Sequence, residues 1–289
     1  MYIASSVWQG ATASLETILH LVNDARIHAV ETRGLHFDSR FLAPTEPAPS
    51  TVNLFLLVEG RAQVDARWYD TPCYFAVGPD EFERREPAAR AFRFEGEPRR
   101  SIEVCLGVDR LHASLGLTHG AHPLPESVTR AARSLFDREL SQEARVERAS
   151  MLIAALAEHR LCTLPVDVDD GERGASLQRV VSSFVALFRN QDKSAYGKVL
   201  ADLAQVSVRQ ATRDVSTLYR RFRLPGSSPR ELFRVLRLRR VTLFLSAQDE
   251  SLEDVARAVG YSGLDAMSRA LRDAGLPPPG EIRRRLRGE

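Results

Sequence analysis

The chain has 289 residues, 44% hydrophobic and 27% charged, which is the balance of a folded protein with room for two cores. No apolar run approaches the roughly 20 residues that span a bilayer, and no basic stretch followed by an apolar core opens the chain, so neither a membrane span nor a signal peptide is expected. The net charge of +2 conceals an asymmetry: from Gly174 onward stand 21 Lys/Arg against 12 Asp/Glu, and before it 19 against 26, so only the C-terminal part suits a polyanion.

In chain order, Ser14–Val22 places Leu15, Ile18, Leu19 and Val22 at helical spacing and predicts a short helix. From Gly34 to about Gly107 the pattern changes to strand-like runs: Val52–Val58, Cys73–Val77, Ala91–Phe94 and Ser101–Leu106. Glu59-Gly60, Gly78-Pro79 and Glu95-Gly96 read as the turns between them, and the whole predicts a compact β-barrel or sandwich. Phe55, Trp68, Tyr69, Tyr74, Phe75, Phe92 and Phe94 fall in or beside these runs, where such rings form core or line a pocket. Two helices follow, about Glu126–Phe136 and Arg145–Leu161. The second carries Val146, Ala149, Leu152, Ile153 and Leu156 on one face, a stripe that suits either a homodimer seam or a cover for the open face of the barrel. Pro165–Gly174, acidic and aperiodic, reads as a linker.

The N-terminal half offers little chemistry. Cys73, Cys105 and Cys162 are odd in number and widely spaced, which fits reduced thiols rather than disulfides or a zinc site. No histidine lies between His36 and His112, the span of the strand-like runs, and His119 and His122 fall in a Gly- and Pro-containing loop beyond them. No serine sits in a nucleophile elbow. An enzyme, a metal centre and a bound cofactor are therefore not expected.

Beyond the linker everything reads as helix. Ser207 is followed three residues later by Gln210, Ser228 by Glu231, Ser251 by Asp254 and Ser262 by Asp265, which are capping boxes or their shorter Asp variants. Pro229 sits where a first-turn proline loses no hydrogen bond. The segment Leu200–Val215 resembles Val255–Leu271: each is a short helix with a packed alanine (Ala201, Ala256), a tight turn, and a capped second helix. Gly260 supplies the second turn, and Gln205 holds that place in the first. Between the units, Pro229–Ser246 forms one helix; about 18 residues make it about 27 Å long. That is close to the ~34 Å between successive faces of a major groove, so both units would read one duplex without a dimer.

From Ser251 to Arg284 the sequence "SLEDVARAVGYSGLDAMSRALRDAGLPPPGEIRR", with "RLRRVTLFLSAQDE" before it, resembles the DNA-binding domain of the AraC/XylS family of transcription regulators. The resemblance covers about the last 115 residues. It departs at Gln205, at Asp214 after Arg213, and at Met267, where the family usually has Phe. It implies that Arg209, Thr212 and Arg213, with Gln210 adjacent, face bases in the first unit, and Leu264, Asp265, Ser268 and Arg269 in the second. Arg pairs bidentately with guanine and Gln with adenine, whereas Leu264 offers only a methyl contact and Asp265 accepts only from cytosine or caps its helix. Ser207 and Ser262 are expected as caps first and phosphate contacts second.

The expected fold class is α+β: a β-rich, barrel-like N-terminal sensor with flanking helices over residues 1–164, a linker over 165–174, and an all-α domain of two helix-turn-helix units joined by a long helix over 175–289. The expected function is that of a cytoplasmic, sequence-specific DNA-binding transcription regulator controlled by a small effector. Its partners would be duplex DNA, RNA polymerase and a possible second copy of the chain. The alternative is a metal-independent, cupin-like ligand-binding or redox-sensing protein whose helical C-terminus binds protein.

Overall fold

The computed structural model describes residues 2–42, 51–78, 92–112, 120–164, 196–226 and 228–288, with positions 179, 181 and 183. The expected linker at 165–174, His119, Pro79 and Ala91 lie outside the described residues.

Among the described residues the N-terminal half is built on a nine-stranded antiparallel sheet ordered β1-β2-β3-β8-β5-β7-β9, with β4 on β8 and β6 on β5. The strands are β1 Tyr2–Gln9, β2 Ser14–Val22, β3 Ala25–Arg33, β4 Phe37–Asp38, β5 Thr51–Val64, β6 Arg67–Asp70, β7 Cys73–Val77, β8 Phe92–Gly107 and β9 His122–Pro123. Helices α1 (Glu126–Ser134) and α2 (Gln142–Glu158) follow. The C-terminal half holds α3 (Tyr196–Ala204), α4 (Val208–Phe222), α5 (Pro229–Phe244), α6 (Leu252–Ala258), α7 (Leu264–Asp273) and α8 (Pro279–Arg287).

Several expectations are corrected. Ser14–Val22 is strand β2, not a helix. It is covered on both sides, so apolar residues occur at both parities and mimic a helical stripe: Ile18 and Val22 face one core, and Leu15, Leu19 and Leu21 face the C-terminal helices. Asn23 and Asp24, with φ of 48° and 55°, close the β2–β3 hairpin as the two central residues between paired Val22 and Ala25. Two consecutive left-handed residues are what a two-residue hairpin turn requires.

Glu59-Gly60 and Glu95-Gly96 are not turns, because β5 and β8 run through them. The β5–β8 register shifts between Leu57 and Glu59 and again between Glu59 and Arg61. At this irregularity the two glycines meet: a Cβ on Gly96 would lie 2.5 Å from the Gly60 Cα. Glycine here permits a close backbone crossing that bends two long strands.

The stripe on α2 faces inward. Ala149, Leu152, Ile153 and Leu156 are wholly buried against Val128 and Ala132 of α1 and the sheet residues Ile27, Leu54 and Val104. Those side chains cover the sheet and are not available as a homodimer seam. On the opposite side of the sheet, Phe55, Phe75, Phe92 and Phe94 form an aromatic core, with centroids 5.2 Å apart for Phe55 and Phe75. Trp68 stays 38% exposed beside Arg61.

The sheet also supplies residues to the helical half. Leu19 and Leu21 pack with Leu218, Tyr219 and Phe222 of α4 and with Phe233 of α5. Ala13, Leu15, Leu35 and Phe41 join Phe244, Val255, Met267 and Ile282 in a further core. Trp8 stacks on Phe244 with centroids 4.1 Å apart.

Candidate nucleic-acid interface

Two helix-turn-helix units repeat the same backbone device. In the first, α3 ends where Gln205 takes φ 54°, and the Val206 N–H returns to the Ala201 carbonyl at 3.1 Å. In the second, α6 ends where Gly260 takes φ 85°, and the Tyr261 N–H returns to the Ala256 carbonyl at 2.9 Å. Each closure satisfies an orphan carbonyl at the end of the first helix and turns the chain into the second. Ala201 and Ala256 are buried, at 1% and 0% exposed. Gln205 is therefore the geometric counterpart of Gly260.

The caps divide between expectation and correction. Ser207 Oγ accepts from Gln210 N at 3.1 Å, Ser228 Oγ from Glu231 N at 3.3 Å, and Ser251 Oγ from Asp254 N at 3.1 Å. The Gln210 amide does not return to Ser207; it donates to Asp214 Oδ1 at 2.8 Å along the helix. Ser262 does not cap α7. The N-cap is Gly263, and the Leu264 N–H donates to Glu253 Oε2 of α6 at 3.1 Å. Asp265 is an exposed residue of the first turn.

The first unit exposes the more cationic surface at the start of its second helix. Arg209, Thr212 and Arg213 are exposed near the start of α4, with Val208 beside them at 54% exposure. Neither the Arg209 nor the Arg213 guanidinium pairs with a carboxylate among the described residues. Thr212 Oγ1 donates to the Val208 carbonyl at 2.8 Å, so only its lone pairs and methyl remain for a partner. Gln210 is half-buried and held by Asp214. In the second unit Leu264 and Ser268 are half-buried, Leu264 against the core that holds Met267, while Arg269 is exposed and makes no carboxylate pair among the described residues. Glu253, Asp254 and Asp265 cluster where α6 and α7 begin, and Arg257 pairs with Glu253 at 3.4 Å. The start of α4 is therefore more positively charged than the start of α7.

Between the units α5 acts as the shared spine. Leu232 and Phe233 belong to the first unit's core, and Leu238, Val241 and Phe244 to the second's. Arg237 of α5 lies over the Tyr261 ring at 5.2 Å. Other arginines face the sheet. Arg239 Nη1 meets Glu103 Oε2 at 3.2 Å, Arg223 Nη2 meets Asp109 Oδ1 at 3.5 Å, and Arg221 pairs with Asp24. Glu103 also meets Arg26 at 3.5 Å and His28 Nδ1 at 3.9 Å. Burial works to raise the Glu103 pKa, but Arg239, His28 and Arg26 together hold it well below the usual carboxylate range.

The N-terminal half holds titratable groups that the strand-like runs did not announce, because the strands begin at Tyr2 and so include His20 and His28. His20 is wholly buried, and burial, with the charge of Arg145 adding, lowers its pKa from 6.5 to about 3. His122 belongs to β9 rather than to a loop. Cys73, Cys105 and Cys162 are free and buried, and burial pushes the thiols of Cys73 and Cys162 up to about 11. Protonated at neutral pH, they are poor nucleophiles. Among the described residues no three His, Cys, Asp or Glu side chains gather as a metal site would require, and no helix is long and apolar enough to cross a membrane.

Residues 201–285 match a family model described as a helix-turn-helix domain. No curated protein matches the sequence. Among solved structures, ToxT from Vibrio cholerae aligns at 8% identity over 94% of this chain and 98% of its own, with a TM-score of 0.35. ToxT with an unsaturated fatty acid bound aligns at 11% identity over 90% and 96%, with a TM-score of 0.39. The AraC-like transcriptional activator CuxR aligns at 13% identity over 98% and 85%, with a TM-score of 0.28. Likenesses this distant carry no argument about ligands or partners.

Proposed function

We propose that the protein is a sequence-specific, DNA-binding transcription regulator of the AraC type, built on the helix-turn-helix domain that residues 201–285 match, and that its first unit sets most of the sequence preference. The observation that carries this is the start of α4: Arg209 and Arg213, one turn apart and exposed, with no carboxylate to neutralise them among the described residues. A guanidinium in that state is free to take guanine edges or phosphates. Ser207, Thr212 and Gln210 support them from the same turn. In the second unit Arg269, with Ser262 and Ser268, makes mainly backbone contacts, and Leu264 and Asp265 contribute less.

In this reading residues 1–164 sense a small effector, 165–174 link, and 175–289 bind DNA in the cytoplasm, where RNA polymerase is the partner that converts binding into regulation. Tandem units on one chain need no dimer to occupy successive grooves. The helical cores borrow Leu15, Leu19, Leu21 and Leu35 from the N-terminal half, so the test uses the full chain. Selection from random duplex DNA should enrich one motif, and affinity for it should fall steeply with salt as condensed counterions are released. Failure to enrich any sequence at low salt would overturn the proposal.

A further inference from the structure

The inner side of α4 holds Ala211, Val215, Leu218, Tyr219 and Phe222. On its outer side the hydroxyl protons are committed to the helix itself. Thr212 Oγ1 donates to the Val208 carbonyl at 2.8 Å, Ser216 Oγ to the Thr212 carbonyl at 2.9 Å, and Thr217 Oγ1 to the Arg213 carbonyl at 3.1 Å. The Gln210 amide is likewise engaged by Asp214. What the start of α4 offers a partner is therefore guanidinium and methyl groups. Arg209 and Arg213 stand one turn apart, and beside them stand Val208 and Thr212, also one turn apart and exposed.

Val208 is 54% exposed and joins none of the apolar cores among the described residues. A branched side chain loses rotamer freedom in a helix, and this one buries little surface in return. The same stiffness means that little further freedom is lost when a partner packs against it. The second unit has no such group. Counted from the Ala201 and Ala256 carbonyls that close the two turns, Val208 stands where the second unit has Gly263. There an added Cβ would crowd Glu253 Oε1 at 3.1 Å, beside the carboxylate oxygen that caps α7. An isopropyl group forms no hydrogen bond to phosphate or to a base edge. The apolar group that a major groove presents is the methyl of thymine, and the first residues of the second helix in such a unit are those that meet base edges.

We propose that Val208 is a specificity-determining residue that packs on the methyl group of one thymine, next to a guanine held by Arg209 or Arg213. The half-site bound by α4 then contains adjacent thymine and guanine. This deepens the DNA-binding reading and rests on it, since it names one of the bases that α4 recognises.

The test takes the full-length protein and the duplex that selection enriches, with each thymine replaced in turn by deoxyuridine, which pairs alike and lacks only the methyl. At one thymine the replacement should weaken binding about fourfold, the worth of one buried methyl group. Val208→Ala should bind the unaltered duplex about fourfold more weakly, and deoxyuridine at that position should then have no further effect. Its Tm should stay equal or rise, because alanine is the better helix former, so weaker binding would not reflect unfolding. Deazaguanine lacking the N7 acceptor, placed at the neighbouring guanine, should weaken binding of both proteins alike. If no duplex is enriched, the DNA-binding reading fails and this proposal with it. If a duplex is enriched but no deoxyuridine matters, or the sensitivity persists in Val208→Ala, the assignment of Val208 is overturned and the DNA-binding reading stands.

Discussion

At the scale of single residues, two side chains have measurable consequences. His20 is buried neutral, with its folded pKa lowered from 6.5 to about 3. The unfolded chain therefore binds the proton first, and stability falls as pH drops below the unfolded value and goes on falling toward pH 3. The slope contributed should be about 1.4 kcal/mol per pH unit. Urea unfolding at pH 7.0 and 5.5 should show this loss, and His20→Leu should flatten it; an unchanged slope would place the proton elsewhere. Gln205, at φ 54°, holds a left-handed position that glycine occupies without penalty. Gln205→Gly should raise stability by about 0.5–1 kcal/mol. In the matching turn Gly260 has open space around its Cα, so Gly260→Ala should lose about 1–2 kcal/mol through the backbone alone. Calorimetry on the two variants checks both signs.

At the scale of elements, the second helices of the two helix-turn-helix units are unequal. Helix α4 starts on a serine cap and shows Arg209 and Arg213, which pair with no carboxylate among the described residues, whereas the first turn of α7 is capped by Glu253 reaching across from α6. Arg209→Ala and Arg213→Ala should each relax sequence preference in one half of the site, by about 1–3 kcal/mol. Changes at Leu264 or Asp265 should alter preference less, and the reverse ranking in a binding-site selection would reassign the reading helix. Glu253→Ala leaves the Leu264 N–H without its acceptor and should cost about 1 kcal/mol of stability. The Ser262 and Asp265 spacing announced a cap that the fold did not use. Sequence shows candidate acceptors near a helix start, but which one reaches the free N–H depends on the neighbouring helix.

At the scale of the whole molecule, sheet and helices share cores and a buried charge cluster. Glu103 lies between Arg26 of the sheet and Arg239 of α5, at 3.5 and 3.2 Å. Glu103→Gln would leave the buried Arg26 and the half-buried Arg239 without the carboxylate they share, at a cost of about 3–5 kcal/mol. Because the folded Glu103 pKa is depressed, this contribution is present above the unfolded carboxylate value, about 4.3, and is lost as pH falls below it. Denaturant unfolding of the variant at pH 7 should show one weakened transition if the halves unfold together. An unaltered midpoint would mean that the pair is not formed in solution.

Sequence by itself determined the paired helix-turn-helix units, because caps, the Ala201 and Ala256 positions and the Gln205 and Gly260 turns act over a few residues of chain. It also placed Arg209 and Arg213 at the start of a helix, and three of the four serine caps where the structure has them. Tertiary structure alone decided the rest. Burial on both faces made β2 look like a helix, and the contact of Gly60 with Gly96 turned two apparent turns into one bend. The α2 stripe was equally suited to a partner or to the sheet, and only packing chose the sheet. Nothing in the local spelling of Arg99, a buried residue of β8, distinguishes it from a surface arginine. Its burial opposite Thr32 is a product of strand register, which is set by pairings far apart in the chain.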